Sequence, residues 1–145
     1  MVILLVSDSH GDTATLKRLV DMYPKMDMYL HAGDSESDEY TLKPFVSVRG
    51  NCDRYRNFND YLLIPTPYGK MYIQHKPHFS HSIIKKENVK ICIHGHTHIR
   101  RKESLNGIMY INPGAISYAR DCFEGSYVIL TIDTETIRVN FYTLK

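Results

Sequence analysis

The chain has 145 residues, 43% of them hydrophobic and 23% charged, with a formal net charge of +2. That length suits one domain that buries most of its apolar surface and is short for two, so a single domain over residues 1–145 is expected. The composition excludes the disordered and fibrous classes, and a charge so near balance supplies no field that would make nucleic acid or a membrane surface the bulk partner.

Cys52, Cys92 and Cys122 are odd in number and far apart, which predicts neither a disulfide framework nor a thiolate zinc knuckle and fits a reducing cytoplasm. The apolar run Met1–Val6 has no basic leader and is interrupted by Asp8 and His10, too early for a signal peptide or a membrane span. A cytoplasmic protein is therefore expected, with homo-oligomer formation left open.

In chain order, Val2–Val6 is a continuous β-prone run, the pattern of a strand covered on both faces. After Ser7-Asp8-Ser9-His10-Gly11-Asp12, the stretch from Thr13 to Tyr23 places Leu16, Leu19, Val20 and Tyr23 at helical spacing, with Asp12 or Thr13 as N-cap and Pro24 closing it. Met28–Ala32 and Phe45–Val48 read as two further strands, ended by Gly33-Asp34-Ser35 and Arg49-Gly50-Asn51-Cys52-Asp53. Tyr61–Pro65 and Lys70–Gln74 form a hairpin around Thr66-Pro67-Tyr68-Gly69 and run out at His75. Ser80–Glu87 reads as a short helix and Lys90–Ile93 as a buried strand leading to His94-Gly95-His96-Thr97-His98. Ile99–Ser104 and Ile108–Ile111 flank Leu105-Asn106-Gly107, a hairpin signal, and Ser126–Asp133 and Thr136–Tyr142 close the chain as an antiparallel pair.

In sheets with parallel strands, function collects beyond the carboxyl ends of the strands. The polar residues there are Asp8, His10, Asp34, Asn51, His75, His96 and His98. An oxygen and nitrogen set without thiolates suits Mn, Fe, Zn, Co or Ni. These seven exceed what one tetrahedral ion needs, whereas two ions sharing a carboxylate use them all, the arrangement of two-metal hydrolases.

Asp8-Ser9-His10, Gly33-Asp34, Gly50-Asn51-Cys52-Asp53, His75 and Gly95-His96-Thr97-His98 resemble the five ordered signature blocks of the calcineurin-like metallophosphoesterases. Asn112-Pro113-Gly114 and the short length resemble the YfcE-like branch of small phosphodiesterases. The resemblance runs from Val2 to about Arg120. It implies an α/β fold of two mixed β-sheets packed as a sandwich with flanking helices, a four-layer arrangement. It further implies that Asp8, His10 and His98 bind one metal, that Asn51, His75 and His96 bind the other, and that Asp34 bridges them. A hydroxide between the ions would attack phosphorus, with Asp34, Asn51 and His96 as the catalytic residues. Two divalent ions are the implied cofactors, manganese first, with zinc, iron, nickel or cobalt as alternatives.

Many phosphomonoesterases of the wider superfamily carry His where this chain has Cys52, and a thiol is a poor acid for a leaving oxygen, so a small phosphodiester substrate is expected. Two departures stand out. The usual His-Gly-His block is His75-Lys76-Pro77-His78, which leaves His78 as an alternative to His75. The usual Asn-Pro-Gly-Ser ends in Ala115, at the cost of one hydroxyl. The resemblance also extends to a retromer subunit of the same fold, which makes a non-catalytic binding scaffold the competing reading. A metal-dependent nuclease, the third, would need stacking rings such as Tyr55, Tyr61, Tyr68 and Tyr72, and near-neutral charge disfavours it.

The remaining chemistry-bearing residues have plainer readings. His31 is expected as a satisfied core or supporting group, His94 as support for the His96 turn, His81 at a helix start or on the surface, Asp12 as an N-cap and Asp53 as a turn cap or ligand orienter. Arg49, Lys76, Arg100, Arg101 and Arg120 could meet a phosphate, Arg120 foremost, although single basic residues are usually solvated. Cys92 is expected to be buried and Cys122 to lie in a loop, neither as a nucleophile.

Overall fold

A computed structural model describes residues 1–54, 57–121 and 124–144. It contains β1 (Val2–Val6), α1 (Thr13–Met22), β2 (Met28–His31), α2 (Glu39–Leu42), β3 (Phe45–Ser47), β4 (Tyr61–Thr66), β5 (Gly69–Gln74), α3 (His81–Glu87), β6 (Val89–Ile93), β7 (Arg101–Leu105), β8 (Ile108–Asn112), β9 (Ser126–Ile132) and β10 (Ile137–Thr143). The strands form two five-stranded sheets, ordered β10-β9-β1-β2-β3 and β4-β5-β6-β8-β7. In each, a parallel trio carries the functional loops: β1 pairs parallel with β2 and β2 with β3, while β5 pairs parallel with β6 and β6 with β8. The outer pairings β9–β1, β9–β10, β4–β5 and β7–β8 are antiparallel.

Side chains alternate across a strand, and β1 shows why its run is apolar without a break. Ile3 and Leu5 join Leu30, Met71, Ile73, Ile91, Ile93, Ile111, Val128 and Leu130 in the core between the sheets. Leu4 and Val6 face the other way, against Leu16 and Leu19 of α1, Leu42 of α2 and Phe45. On the far side of the second sheet Tyr72, Val89 and Cys92 pack with Ile83 and Ile84 of α3. The expected sandwich with helices outside both sheets is the observed one.

Local sequence explains the element ends. Asp12 caps α1 by accepting from the Thr15 N–H and hydroxyl at 3.1 and 2.6 Å, and Ser80 caps α3 by accepting from the Ile83 N–H. Asn88 closes α3 in the left-handed conformation. Among the described residues, no helix is long and apolar enough to cross a membrane. Most element ends fall within one residue of the expectation, and two features differ more. Helix α2 is a single turn with only Leu42 buried, too short for a periodic signal. Strand β7 starts at Arg101 rather than Ile99 because residues 99 and 100 complete the loop after His98: the Ile99 N–H donates to the Thr97 hydroxyl and the Arg100 N–H to Asp121.

Candidate metal centre

The carboxyl ends of β1, β2, β3, β5 and β6 meet along one edge of the sandwich. Asp8 stands at the centre, fully buried. Its Oδ2 accepts from the Ser7 hydroxyl at 2.6 Å and from the His96 N–H at 3.1 Å. Its Oδ1 has no hydrogen-bond partner. Around that atom lie three imidazole nitrogens: His98 Nε2 at 3.2 Å, His75 Nε2 at 3.7 Å and His10 Nε2 at 3.8 Å. Asp34 Oδ2 is 3.1 Å from His75 Nε2, a distance at which the angles make no hydrogen bond, for His75 Nε2 is itself a buried atom without a partner.

The other nitrogen of each ring sets its tautomer. The Nδ1–H of His75 donates to the Ala32 carbonyl at 2.8 Å, that of His98 to the Tyr118 carbonyl at 2.8 Å and that of His10 to the Glu36 carboxylate at 2.7 Å. Three Nε2 lone pairs and the free Asp8 oxygen therefore converge, and His10 Nε2 and His98 Nε2 stand 3.4 Å apart. Acceptors facing acceptors are unfavourable in a buried site unless a cation lies among them. Asp8, His10 and His98 form one group with ligand atoms mutually within 4.8 Å, and Asp8, Asp34 and His75 form another. The second group mixes residues that the family resemblance divides between two ions. Asn51 and His96 approach from the far side, where the His96 Nδ1–H donates to Asn51 Oδ1 at 3.0 Å and the His75 and His96 rings stand edge to face at 5.2 Å. All seven strand-end residues thus come together on one edge. His78 is exposed and lies on the strand-to-helix connection after β5.

Burial and charge set the protonation here. Burial alone would push the Asp34 carboxyl up, but the His75 ring and the Cys52 N–H hold it down at about 2. Burial would lower His75, but the Asp34 and Asp8 carboxylates raise it above its ordinary value. Burial and the neighbouring His75 and Lys76 charges lower His96. Cys52, beside the Asp34 carboxylate, is raised by partial burial and negative charge and stays a thiol.

Five of the seven residues sit in the left-handed region: Asp8, His10, Asp34, His96 and His98 have φ of 53°, 45°, 60°, 71° and 60°. Such backbone costs about 1–3 kcal/mol per residue and persists where neighbours impose it. Loop-to-loop hydrogen bonds do so here, from Asp8 N–H to Gly33 O, His10 N–H to Asp34 O, Ser117 N–H to Asp8 O and Arg120 N–H to His98 O, at 2.9–3.0 Å. Two glycines allow the close approach. A Cβ on Gly50 would lie 2.0 Å from Asp34 Oδ1, and one on Gly95 would lie 2.0 Å from Ser7 Oγ and 2.6 Å from Asp8 Oδ2.

The supporting residues have specific partners. Asp53 accepts from the Asp34, Gly50 and Glu36 N–H groups at 2.7–3.0 Å, tying the β2 and β3 loops together. His31, fully buried, accepts from the Gly33 N–H through Nδ1 and donates from Nε2 to Ser9; burial first, then the His75 charge, lowers its pKa to about 3. His94 faces away from the acceptor cluster: its Nδ1–H donates to Gly95 O and its Nε2 accepts from Arg101, with burial lowering its pKa to about 4. Asn112 donates to Gly95 O and to Thr97 Oγ1, holding the turn between His96 and His98. Arg101 therefore meets His94 and the Tyr110 ring rather than a phosphate, and Arg100 pairs with Asp121 at 3.4 Å. Arg120 is exposed and touches the site through its main chain. Cys92 is buried, its thiol pushed up to about 12, whereas Cys122 and Tyr55 lie outside the described residues. Tyr72 is buried and Tyr68 packs against the core, so neither ring lines a nucleic-acid groove.

Three residues at the site lie outside the expected set. Ser7 holds Asp8, Glu36 holds His10, and Tyr118 holds His98 through its carbonyl. Glu36 was open to detection as a second carboxylate two positions after Asp34; Tyr118 was not. A cavity of about 340 Å³ adjoins Asn51 and His75, walled by Arg49, Asp60, Gln74 and Lys76.

Known proteins share this architecture and its blocks. The calcineurin-like phosphoesterase superfamily domain matches residues 1–135. A probable metallophosphoesterase, YsnB of Bacillus subtilis, is 34% identical over 98% of this chain and 90% of its own length. The crystal structure of a conserved uncharacterized protein, a predicted phosphoesterase from Streptococcus pneumoniae, superposes with a TM-score of 0.86 at 29% identity, covering 99% of this chain and 89% of that one. A mutant of Vps29 from Entamoeba histolytica shares the fold, with a TM-score of 0.77 at 21% identity, covering 99% and 92%. With the family match spanning residues 1–135 and a 34%-identical relative aligned along nearly the whole chain, this protein belongs to the calcineurin-like phosphoesterase superfamily.

Proposed function

We propose that the chain is a metal-dependent phosphodiesterase in which Asp8, His10 and His98 hold one divalent ion, Asn51, His75 and His96 hold a second, and Asp34 bridges them. One observation carries this reading: Asp8 Oδ1 and His75 Nε2 are buried, unpartnered and 3.7 Å apart, with further lone pairs aimed at the same space. A donor set of oxygen and imidazole nitrogen fits manganese, zinc, iron, nickel or cobalt, manganese being our first expectation. Divalent ions held there would acidify water at neutral pH and offset negative charge on the phosphoryl oxygens.

The chain's own residues supply position and protonation state. The Ala32 and Tyr118 carbonyls and the Glu36 carboxylate fix each imidazole with its Nε2 lone pair inward, the orienting role that such partners play for metal ligands. Asp34 is ionised at every physiological pH. Cys52, kept as a neutral thiol among carboxylates, is a weak proton donor to an alkoxide, which favours diesters with good leaving groups over simple monoesters. The cavity beside Asn51 and His75 has room for the alcohol portion of a small substrate, with Arg49 and Lys76 on its wall. Two unpaired cysteines, Cys52 and Cys92, suit a reducing compartment such as the cytoplasm.

The likeness to Vps29 favours a second reading, a binding scaffold without turnover. Metal content and hydrolysis of bis(p-nitrophenyl) phosphate and p-nitrophenyl phosphate, measured on wild type and on Asp34→Asn, separate the two. We expect two ions per chain, diester preferred over monoester, and a loss of roughly 100-fold or more in turnover for Asp34→Asn, the scale of losing one electrostatic contact in a transition state. A wild type that takes up no metal and shows no turnover with added Mn²⁺, Zn²⁺, Fe²⁺, Ni²⁺ or Co²⁺ would establish the scaffold instead. A strong monoester preference would overturn the diester assignment.

A further inference from the structure

We propose that the ring of Tyr118 is a stacking platform for a planar group of the substrate, so that the diester this site takes carries a flat unsaturated ring, of which a nucleobase is the biological form. The inference rests on the phosphodiesterase reading above and deepens it. Tyr118 has a φ of 62°, a conformation that L residues with a Cβ adopt at a cost and that bulky ones rarely adopt at all. The surrounding bonds enforce it. The Tyr118 carbonyl accepts from His98 Nδ1 at 2.8 Å, while on either side the Ser117 N–H donates to Asp8 O at 3.0 Å and the Arg120 N–H to His98 O at 2.9 Å. The Ser117 hydroxyl adds a bond to Ser9 O at 3.0 Å.

With the carbonyl turned inward, the side chain has to project outward over the site. The ring is 74% exposed, yet its centroid stands 5.6 Å from that of His10 at an angle of 60°. One residue thus serves the His98 tautomer with its main chain and raises an aromatic face beside the His10 and His98 pair with its side chain. The main-chain task needs no ring, and glycine would perform it without strain. Among the described residues the other exposed tyrosine rings lie elsewhere: Tyr40 is on α2, Tyr61 on β4 stands edge to face with Tyr72, and Tyr142 on β10 stacks on Tyr127. A phosphate held at the imidazole cluster would therefore place the group esterified to it beside the Tyr118 ring, where a planar group can stack on it.

The chain contains no tryptophan, so Tyr118→Trp places a sole tryptophan at the platform, whose emission is read by excitation beyond the tyrosine band. Zinc-loaded Tyr118→Trp should be quenched by adenosine 5′-monophosphate and not by ribose 5-phosphate, which has the same phosphate and sugar without the base. By calorimetry, Tyr118→Ala should bind adenosine 5′-monophosphate about 5- to 150-fold more weakly than wild type, the range of base stacking on an aromatic side chain, with Tyr118→Phe within about twofold of wild type by the same reasoning. Ribose 5-phosphate affinity should change little in either variant. Equal losses for the two ligands, or unchanged adenosine 5′-monophosphate affinity in Tyr118→Ala, would overturn the platform. Loss of zinc from Tyr118→Ala would assign the side chain a purely structural role and overturn it as well. If zinc-loaded wild type bound neither ligand nor inorganic phosphate, the phosphoesterase reading itself would fall, an outcome distinct from the others.

Discussion

Replacing Gly95 with alanine tests whether the centre depends on the close approach of the β1 and β6 loops. The added Cβ would lie 2.0 Å from Ser7 Oγ and 2.6 Å from Asp8 Oδ2, so the first contact is 1.4 Å short of the 3.4 Å at which ordinary packing begins. Ser7 and Asp8 are both fully buried, which leaves no solvent side into which to retreat. Overpacking of this kind costs about 1–3 kcal/mol, and displacement of Ser7 breaks its 2.6 Å bond to the Asp8 carboxylate, about 1.5–3 kcal/mol for a bond to a charged group. A combined loss of about 3–5 kcal/mol lowers the Tm of a chain this size by roughly 10–15 °C. Because the displaced atoms include the carboxylate at the centre, metal affinity falls with it. Scanning calorimetry with and without added metal measures both, and Ser7→Gly in the Gly95→Ala background should restore part of the Tm by clearing the first contact. A Gly95→Ala protein within about 2 °C of wild type, roughly a fifth or less of the shift the clash implies, would refute the reasoning.

Three further expectations concern the same edge. His98→Ala should weaken one bound ion much more than the other in a metal titration, since His98 approaches Asp8 and His10; equal loss of both would count against the division of ligands. Glu36→Gln should weaken metal binding about 10- to 100-fold, the usual effect of removing a partner that orients a ligand, with little change in Tm for the metal-free protein because Glu36 is exposed. In chelator, stability should fall by about 3 kcal/mol between pH 7 and pH 5. His31 and His94 are held at about 3 and about 4, below the 6.5 of the unfolded chain, and His96 is lowered in the same sense, so the unfolded state binds more protons and stability is lost as pH falls below 6.5. His75, raised in the folded state, acts in the opposite sense and only above that value, and Asp34 enters only below its ordinary 3.8. A flat urea-denaturation profile across this range would show that the two histidines are not buried as neutral rings.

The ligand-type residues other than Asn51 are legible in the sequence because each follows a strand buried on both faces, where an abrupt change from apolar to polar marks the sheet edge. Val6 to Asp8, Ala32 to Asp34 and Ile93 to His96 are such transitions. Alternation is no guide once the strand has ended. His94 and His96 are two apart, which suggests a shared face, but β6 stops at Ile93 and His96 turns to a φ of 71°, so His94 points to Arg101 and Phe79 instead. Tyr118 is hidden for a related reason. Its φ is positive, and a tyrosine in that conformation is a property of the surrounding bonds that no local pattern reveals.

The concentration of left-handed residues is informative about how the site holds its shape. A cluster of lone pairs around Asp8 Oδ1 repels itself, and a loop free to relax would swing one imidazole out to water. The loops are not free: β1 and β2 exchange Asp8 N–H to Gly33 O and His10 N–H to Asp34 O, β5 and β6 exchange Gly95 N–H to His75 O, and the β1 loop is joined across the sandwich by Ser117 N–H to Asp8 O and His96 N–H to Asp8 Oδ2. Each bond spans two loops, so relaxing one ligand breaks contacts that hold another. The strain and the repulsion are therefore carried by the fold before any cation arrives. A cation entering such a site need not order its ligands, which is the principal entropic cost of assembling a binding site, and it removes the repulsion that the protein alone leaves unsatisfied.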